Sequence, residues 1–402
     1  MQIDRSLTLA FGGLAAMAAA LGIGRFVYTP ILPVMLTALG WSKADAGVVA
    51  SANFIGYLIG AMLASLPFAA ARPRWWLLVA LLVSAMSTGA MALPSDIASF
   101  VALRFIGGAA SAFVMVCAST LVLEQLPRSG RPSLSGIHFA GVGVGILISA
   151  LSVSTLLAVG ADWKALWVGA GILAAAMAAM AALLVPEGGD LAAASKPEDL
   201  PASSPGTGAM ILAYGLFGFG YVITATFLIA IVRFTDEVRI LEPWVWILFG
   251  LAAIPSVSVW NWLAGRIGIF SAFALACALE ALGVAASVEW VTMSGVSAAA
   301  LLLGGTFMGI TALGFMAART LAAGKSQQAL GLMTASFGVG QIVGPLLAGF
   351  LSERLGGFRV PSLIAAAALI AAAALSVRTS RAVKRSTSPQ TAPDTAGRTA
   401  RH

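Results

Sequence analysis

The chain has 402 residues and a formal charge of +7, and it is 59% hydrophobic but only 10% charged. A soluble domain carries about 25% charged residues, and no soluble core could hide this much apolar surface, so the surrounding solvent must be lipid. The positive charge is scattered between apolar runs, which reads as membrane topology and not as nucleic-acid binding, and no nucleic-acid partner is expected.

Twelve apolar runs are predicted as membrane-spanning helices, at 7–39, 45–71, 75–94, 97–126, 133–159, 163–185, 208–234, 243–265, 269–289, 294–322, 327–351 and 358–378. The first run is too long for the core of a cleavable signal. The breaks between runs are short and hold turn residues, such as Arg72-Pro73-Arg74 and Gly356-Gly357. Asp45 and Asp96 precede apolar runs and suit helix N-caps. Residues 186–207 contain four prolines with Gly, Ser and acidic residues, which suits a cytoplasmic linker between two six-helix bundles at 1–185 and 208–378. Residues 379–402 are rich in Ser, Thr and Arg and have no apolar face, so a disordered basic cytoplasmic tail is expected. Cys117 and Cys277 lie inside apolar runs and form no recognisable metal or redox pair.

With the N-terminus placed in the cytoplasm, fifteen of the 23 lysines and arginines fall on the cytoplasmic side and six on the other, while Arg25 and Arg104 lie inside runs. That bias predicts both termini inside and an even number of spans. The two halves also repeat. Gly22 to Tyr28 in the first run aligns with Gly218 to Thr224 in the seventh at an offset of 196, and Ile106-Gly107-Gly108 aligns with Leu303-Gly304-Gly305 at 197. Gly136, Gly143 and Gly145 align with Gly331, Gly338 and Gly340 at 195. A six-span repeat with both ends on one side gives parallel halves related by an axis along the membrane normal.

On these residues the chain resembles the major facilitator superfamily over about 7–378. Arg104 to Ala112 resembles the family's Arg-x-x-x-Gly-x-x-x-small pattern in span four, and Gly22 to Met35, GIGRFVYTPILPVM, is similar to the uncharacterised YbfB/YjiJ-like bacterial branch. The resemblance implies an all-α fold of two pseudo-symmetric bundles in a bacterial inner membrane. It also implies a central cavity lined by spans 1, 4, 7 and 10, alternating access by rocking of the halves, and a monomer. Two departures matter. The loop after span two lacks the family's Asp-Arg, since Ala64 stands at the Asp position and the basic residues come later as Arg72 and Arg74. The Gly-x-x-x-Gly-Pro-x-x-x-Gly pattern of drug antiporters, known from span five, occurs here in span eleven as Gly340, Gly344, Pro345 and Gly349.

Charges within spans are costly and usually face protein or water. Arg25 stands about 27 Å along its run at 1.5 Å per residue, too deep for easy snorkelling. It suits a bidentate anchor for a carboxylate or phosphate, or a structural group bonded to carbonyls freed by breaks at Pro30 and Pro33. Tyr28 shares its face, and the repeat places Tyr221 and Thr224 opposite, as cavity-lining or packing residues. Arg104 lies on one face with Gly108, Ser111 and Met115. The resemblance gives it a part in anion binding or proton coupling, and the alternative is a hydrogen-bond hub. Further proton-coupling candidates are Glu124, His138 and Glu280, each with a structural alternative. Asn53 and Gln341 are weaker polar candidates for substrate contact. Gly22, Gly24, Gly108, Gly143, Gly145, Gly340, Gly344 and Pro345 suit close packing and conformational change.

No nucleophile elbow, metal-binding histidine pair or phosphate-binding loop occurs, so no enzyme, metal or cofactor is expected. The reading is a secondary transporter for a small organic anion, driven by the proton gradient. The alternatives are proton-coupled efflux of amphipathic compounds and a non-transporting membrane sensor.

Overall fold

The computed structural model describes residues 5–123, 125–186, 206–321 and 326–387. Among these residues all regular elements are helical, and twelve long helices carry the fold: α1 (Arg5–Leu39), α2 (Lys43–Ala64), α3 (Pro73–Ala90), α4 (Ile97–Leu123), α5 (Ser135–Ala158), α6 (Trp163–Leu184), α7 (Thr207–Arg233), α8 (Glu242–Ile267), α9 (Ile269–Glu289), α10 (Met293–Leu321), α11 (Ser326–Leu355) and α12 (Arg359–Thr387). All but α3 contain long, strongly apolar windows of the kind that cross a bilayer. At 18 residues α3 is the shortest, with Arg74, Trp75 and Trp76 at its start and Ser84, Ser87 and Thr88 near its end. It still takes a span's place, packed between α4 and α6.

Local chemistry sets the boundaries. Gly40 takes a left-handed φ of 63° and closes α1, which any side chain would oppose. Asp45 is not the N-cap of α2. Ser42 is, and Asp45 answers it from the third helical position in a capping box. Asp96 accepts the Ser99 N–H at 2.9 Å and starts α4 as expected. Pro67 disfavours helix at the residue before it, so the expected span 45–71 is split: α2 stops at Ala64 and a short helix covers Pro67–Ala71. The tail is expected to start at 379, but residues 379–387 are helical. Its first residues continue α12 to Thr387, where Thr379 is buried and its hydroxyl bonds the Leu375 carbonyl at 3.1 Å. Most of the expected linker, 187–205, and the tail from 388 lie outside the described residues.

Within the first half α2 packs on α4, α3 on α4 and α6, and α1 on α5 and α6. Within the second, α7 packs on α11 and α12, α8 on α10, and α9 on α10 and α12. The halves meet through α2 with α11 and α5 with α8, pairs that the repeat makes equivalent. Small residues permit these approaches. Gly22 and Gly145 bring α1 against α5, and Gly340 and Gly344 bring α11 against α7. Gly143 meets the α8 backbone around Gly250 to Ile254, and the Pro345 carbonyl lies against Gly47, so these two stand between the halves.

One face of the bundle carries the start of α1 and the end of α12. On the opposite face the halves are tied: the Lys43 N–H donates to Glu353 at 3.0 Å and the Ser154 hydroxyl to the Pro243 carbonyl at 3.3 Å. Among the described residues the second part of α1, from Tyr28, packs closely on α7, whereas no comparable packing joins Arg5–Met17 to α7 or α4 to α10. The helices that would line a central cavity therefore diverge toward the terminal face.

Candidate functional site

The site begins with a proline. Pro30 has no N–H, so the Phe26 carbonyl lacks its usual donor four residues on. The Thr29 N–H turns back to that carbonyl at 3.2 Å, which leaves the Arg25 carbonyl open. Upstream the chain is already loosened. Ala18–Ile23 is π-helical, with Gly24 N–H on the Ala19 carbonyl at 2.9 Å and Phe26 N–H on Leu21 at 3.2 Å. Residues 24–27 form turns before helix resumes at Tyr28, so the irregular stretch precedes Pro30 and Pro33, and both prolines sit inside the resumed helix.

Arg104 of α4 satisfies the freed backbone. Its Nη1 donates to the Gly24 carbonyl and its Nη2 to the Arg25 carbonyl, each at 3.2 Å, and its guanidinium lies 4.8 Å from the Tyr28 ring centre. The Asn53 side-chain amide in turn holds the Arg104 carbonyl at 2.9 Å. The carbonyl-bonding role open to Arg25 in the sequence thus belongs to Arg104.

Arg25 is 6% exposed and placed differently. Three aromatic rings cage its guanidinium, Phe54 at 4.6 Å, Tyr57 at 4.7 Å and Phe26 at 5.4 Å from their centres. Its Nε and Nη2 have no hydrogen-bond partner, and no carboxylate pairs with it among the described residues. Arg25 and Arg104 line one small cavity with Tyr28, Thr29 and Phe54 on one side and Val222, Ala225 and Thr226 of α7 on the other. It has room for about one water molecule. Two cations therefore share a small, aromatic-walled space between the halves.

The other candidates sort around this cavity. Tyr28 lines it, but its hydroxyl is used by the Ala46 carbonyl at 2.9 Å. Ser111 is fully buried and bonds the Gly108 carbonyl at 2.8 Å in its own helix. Tyr221 and Thr224, expected opposite Tyr28, are not among the residues that line this cavity. Tyr221 stacks between Phe307 and Phe337 and accepts a hydrogen bond from Gln341, while the buried Thr224 hydroxyl has no partner. His138 is fully buried against Gly13 of α1, with Nε2 3.4 Å from the Ser119 hydroxyl, away from the cavity. Glu280 is buried in α9 with both oxygens unpartnered. Glu124 lies outside the described residues. Sequence reasoning missed Thr29, Phe54, Tyr57 and Thr226. A signal existed for two of them, since Asn53, Phe54 and Tyr57 form one stripe along α2.

Residues 17–377 match the family model described as "Uncharacterised MFS-type transporter YbfB". The chain belongs to this family. It is a multi-pass membrane transporter of the major facilitator type and not an enzyme. No curated protein matches the sequence significantly. Among solved structures, the nucleoside transporter NupG matches at TM-score 0.69 and 16% identity, over 95% of this chain and 100% of that one. A mutant of NupG matches at TM-score 0.71 and 15% identity, over 93% and 99%. A bacterial homolog of the human lysosomal transporter Spinster, solved in an inward-facing and unoccupied conformation, matches at 0.70 and 14%, over 96% and 98%. At these identities the likeness is one of fold.

Proposed function

We propose that this transporter carries a small organic anion across the bacterial inner membrane by alternating access, coupled to protons and working as a monomer. The observation that carries the reading is the Arg25 guanidinium, buried in the cavity it shares with Arg104 and unpartnered at Nε and Nη2. Buried charges are normally paired, because removing them from water is costly. A carboxylate or phosphate bound to the Arg25 fork would supply both the charge and the acceptors. Arg104, already bonded to Gly24 and Arg25, would hold the anchor helix and add field.

The Lys and Arg bias supports a cytoplasmic terminal face, and with that orientation the divergence of the cavity helices suits an inward-facing state. The cavity's size suits a site closed around Arg25 in the absence of solute. An exporter of cationic amphiphiles would call for an acid at this place, and the cavity wall holds two arginines and no acid.

The test is ligand-dependent thermal stability of the purified protein, since a ligand that binds only the native state raises its apparent stability. Acetate, benzoate and phosphate should stabilise the wild type more than neutral or cationic amphiphiles of similar size, and Arg25→Gln should lose the shift. Stabilisation by amphiphiles alone, unchanged in Arg25→Gln, would transfer the assignment to efflux.

A further inference from the structure

Arg25 offers one edge to a ligand. Its two unpartnered nitrogens, Nε and Nη2, lie side by side on the planar guanidinium, and their N–H bonds point the same way at the spacing of the two oxygens of a carboxylate. The face of the group is already taken. It lies over the rings of Phe54 and Tyr57, 4.6 and 4.7 Å from their centres, with Phe26 at 5.4 Å. A carboxylate can therefore join in the guanidinium plane without displacing a ring from its face.

The rest of the wall limits what that carboxylate can carry. Arg104 gives both terminal nitrogens to the Gly24 and Arg25 carbonyls and keeps only Nε, so no second fork is open. The Tyr28 and Thr29 hydroxyls are given to the Ala46 and Ala225 carbonyls. No acid lines the cavity, so an ammonium group on the solute would face two arginines without a counter-charge. A second charge, or a string of hydroxyls, would be buried there without partners, which is costly. What remains is carbon, from Phe26, Ala50, Phe54, Val222 and Ala225.

Around Arg25 this carbon surface is aromatic. A ring face is electron-rich, which is why it holds a cation, and a ring edge is electron-poor, so faces and edges attract each other. Faces turned to the guanidinium thus also suit the edge of a ring attached to the carboxylate. Beyond Phe26 the aromatic surface continues, since Phe26 meets Phe307 edge-on at 5.6 Å and Phe307 stacks on Tyr221 at 6.0 Å.

Tyr57 stands on the side from which a solute would come. The start of α2 is tied to Glu353 on the face opposite the termini, and the helix ends at Ala64. Tyr57 therefore lies one turn nearer the terminal face than Phe54, about 4.5 Å along the helix. It is half-buried, whereas Phe54 and Phe26 are buried. The cavity has room for about one water molecule, so a bound ring must displace a side chain, and Tyr57 is the least enclosed of the three rings.

We propose that the solute is an aromatic monocarboxylate held by the Nε–Nη2 edge of Arg25, and that Tyr57 selects it by closing over its ring. The proposal rests on the anion reading above.

The experiment is binding calorimetry on the full chain in detergent at neutral pH. The probes are the sodium salts of benzoate, cyclohexanecarboxylate, acetate and terephthalate, with inorganic phosphate and free phenylalanine. Benzoate should bind about fivefold tighter than cyclohexanecarboxylate, which has the same carboxylate on a saturated ring, and tighter still than the other four. Tyr57→Leu should lower the ratio of benzoate to acetate affinity about fivefold, and Tyr57→Phe should restore it. The ratio is read because loss of a ring also changes how the free cation is held. Equal binding of benzoate and cyclohexanecarboxylate, binding of acetate, terephthalate, phosphate or phenylalanine as tight as that of benzoate, or an unchanged ratio in Tyr57→Leu overturns the proposal while leaving the anion site standing. Failure of every probe to bind the wild type removes the anion reading and this proposal with it. Should Tyr57→Leu not fold, Tyr57→Met carries the same test, and the order of affinities in the wild type tests the substrate class by itself.

Discussion

The Thr29 hydroxyl donates to the Ala225 carbonyl at 2.7 Å, across a separation of 196 residues. The same offset aligns Gly22 to Tyr28 with Gly218 to Thr224, so the bond joins equivalent positions of the two halves and marks their pseudo-two-fold axis. It lies in the wall of the Arg25 cavity and helps close the halves on the face opposite the termini. A hydrogen bond of this kind contributes about 1 kcal/mol, a factor of about five in an equilibrium. Thr29→Val should therefore shift the protein about fivefold toward opening on that face. The check is the labelling rate of a cysteine at Thr226 by an impermeant maleimide, with the native Cys117 and Cys277 buried and silent. An unchanged rate would mean that the bond does not hold the gate.

Arg25 and Arg104 should behave in opposite ways on substitution. Arg104→Gln leaves the Gly24 and Arg25 carbonyls without donors, and each buried unsatisfied group costs about 1–3 kcal/mol. It should lower the melting temperature clearly. Arg25→Gln removes a charge with two unpartnered nitrogens and should leave the melting temperature unchanged or raised. Thermal unfolding of both variants without ligand decides the matter, and equal destabilisation would mean that Arg25 is a structural group.

Pro30→Ala gives residue 30 an N–H and returns a donor to the Phe26 carbonyl. Thr29 can then release Phe26 and serve the Arg25 carbonyl, which displaces Arg104. The helix should straighten, and anion binding should fall at least tenfold while the protein stays folded. Binding calorimetry checks this, and normal affinity would show that the site does not depend on the broken helix.

Gly108 lies against the Asn53 carbonyl, where a methyl group would collide with backbone, whereas Gly208 has open space around it. Gly108→Ala should cost about 1–3 kcal/mol by overpacking, and Gly208→Ala should stay within about 0.5 kcal/mol. Paired melting curves test this, and equal curves would place α2 and α4 further apart than described.

Asp96, in the α3–α4 connection, accepts the Ser99 hydroxyl at 2.7 Å and its N–H at 2.9 Å, which hold its carboxyl below the usual carboxylate range. A depressed value in the folded state means that the stabilisation is present above about pH 4, the unfolded value, and is lost as pH falls through the folded value. Asp96→Ala should melt below the wild type at pH 7 and approach it as the pH is lowered to about 3. A constant difference would assign the effect to packing.

The membrane spans other than α3 were legible because each is long, apolar and bounded by Gly, Pro or a cap. Arg25 and Arg104 were legible as charges that lipid would not accept. Their division of labour was not, because the bonds from Arg104 to Gly24 and Arg25 cross about 80 residues and depend on a π-helical stretch of Ala, Leu, Gly and Ile that has no local signature. The same stretch explains the misplaced wall of α7. A π turn holds one residue more than an α turn and rotates the helix beyond it by about 100°. The repeat alignment puts Tyr221 and Thr224 opposite Tyr28, but α7 is regular and α1 is not, and Val222, Ala225 and Thr226 line the cavity from α7.

Uptake into proteoliposomes tests the anion site most directly. Protein is reconstituted with an inward proton gradient, and entry of labelled benzoate and phosphate is followed for wild type and Arg25→Gln. Uptake that needs the gradient in the wild type and falls to the level of empty liposomes in Arg25→Gln is the predicted result. Equal uptake by the two proteins would contradict the assignment of Arg25 as the anion anchor.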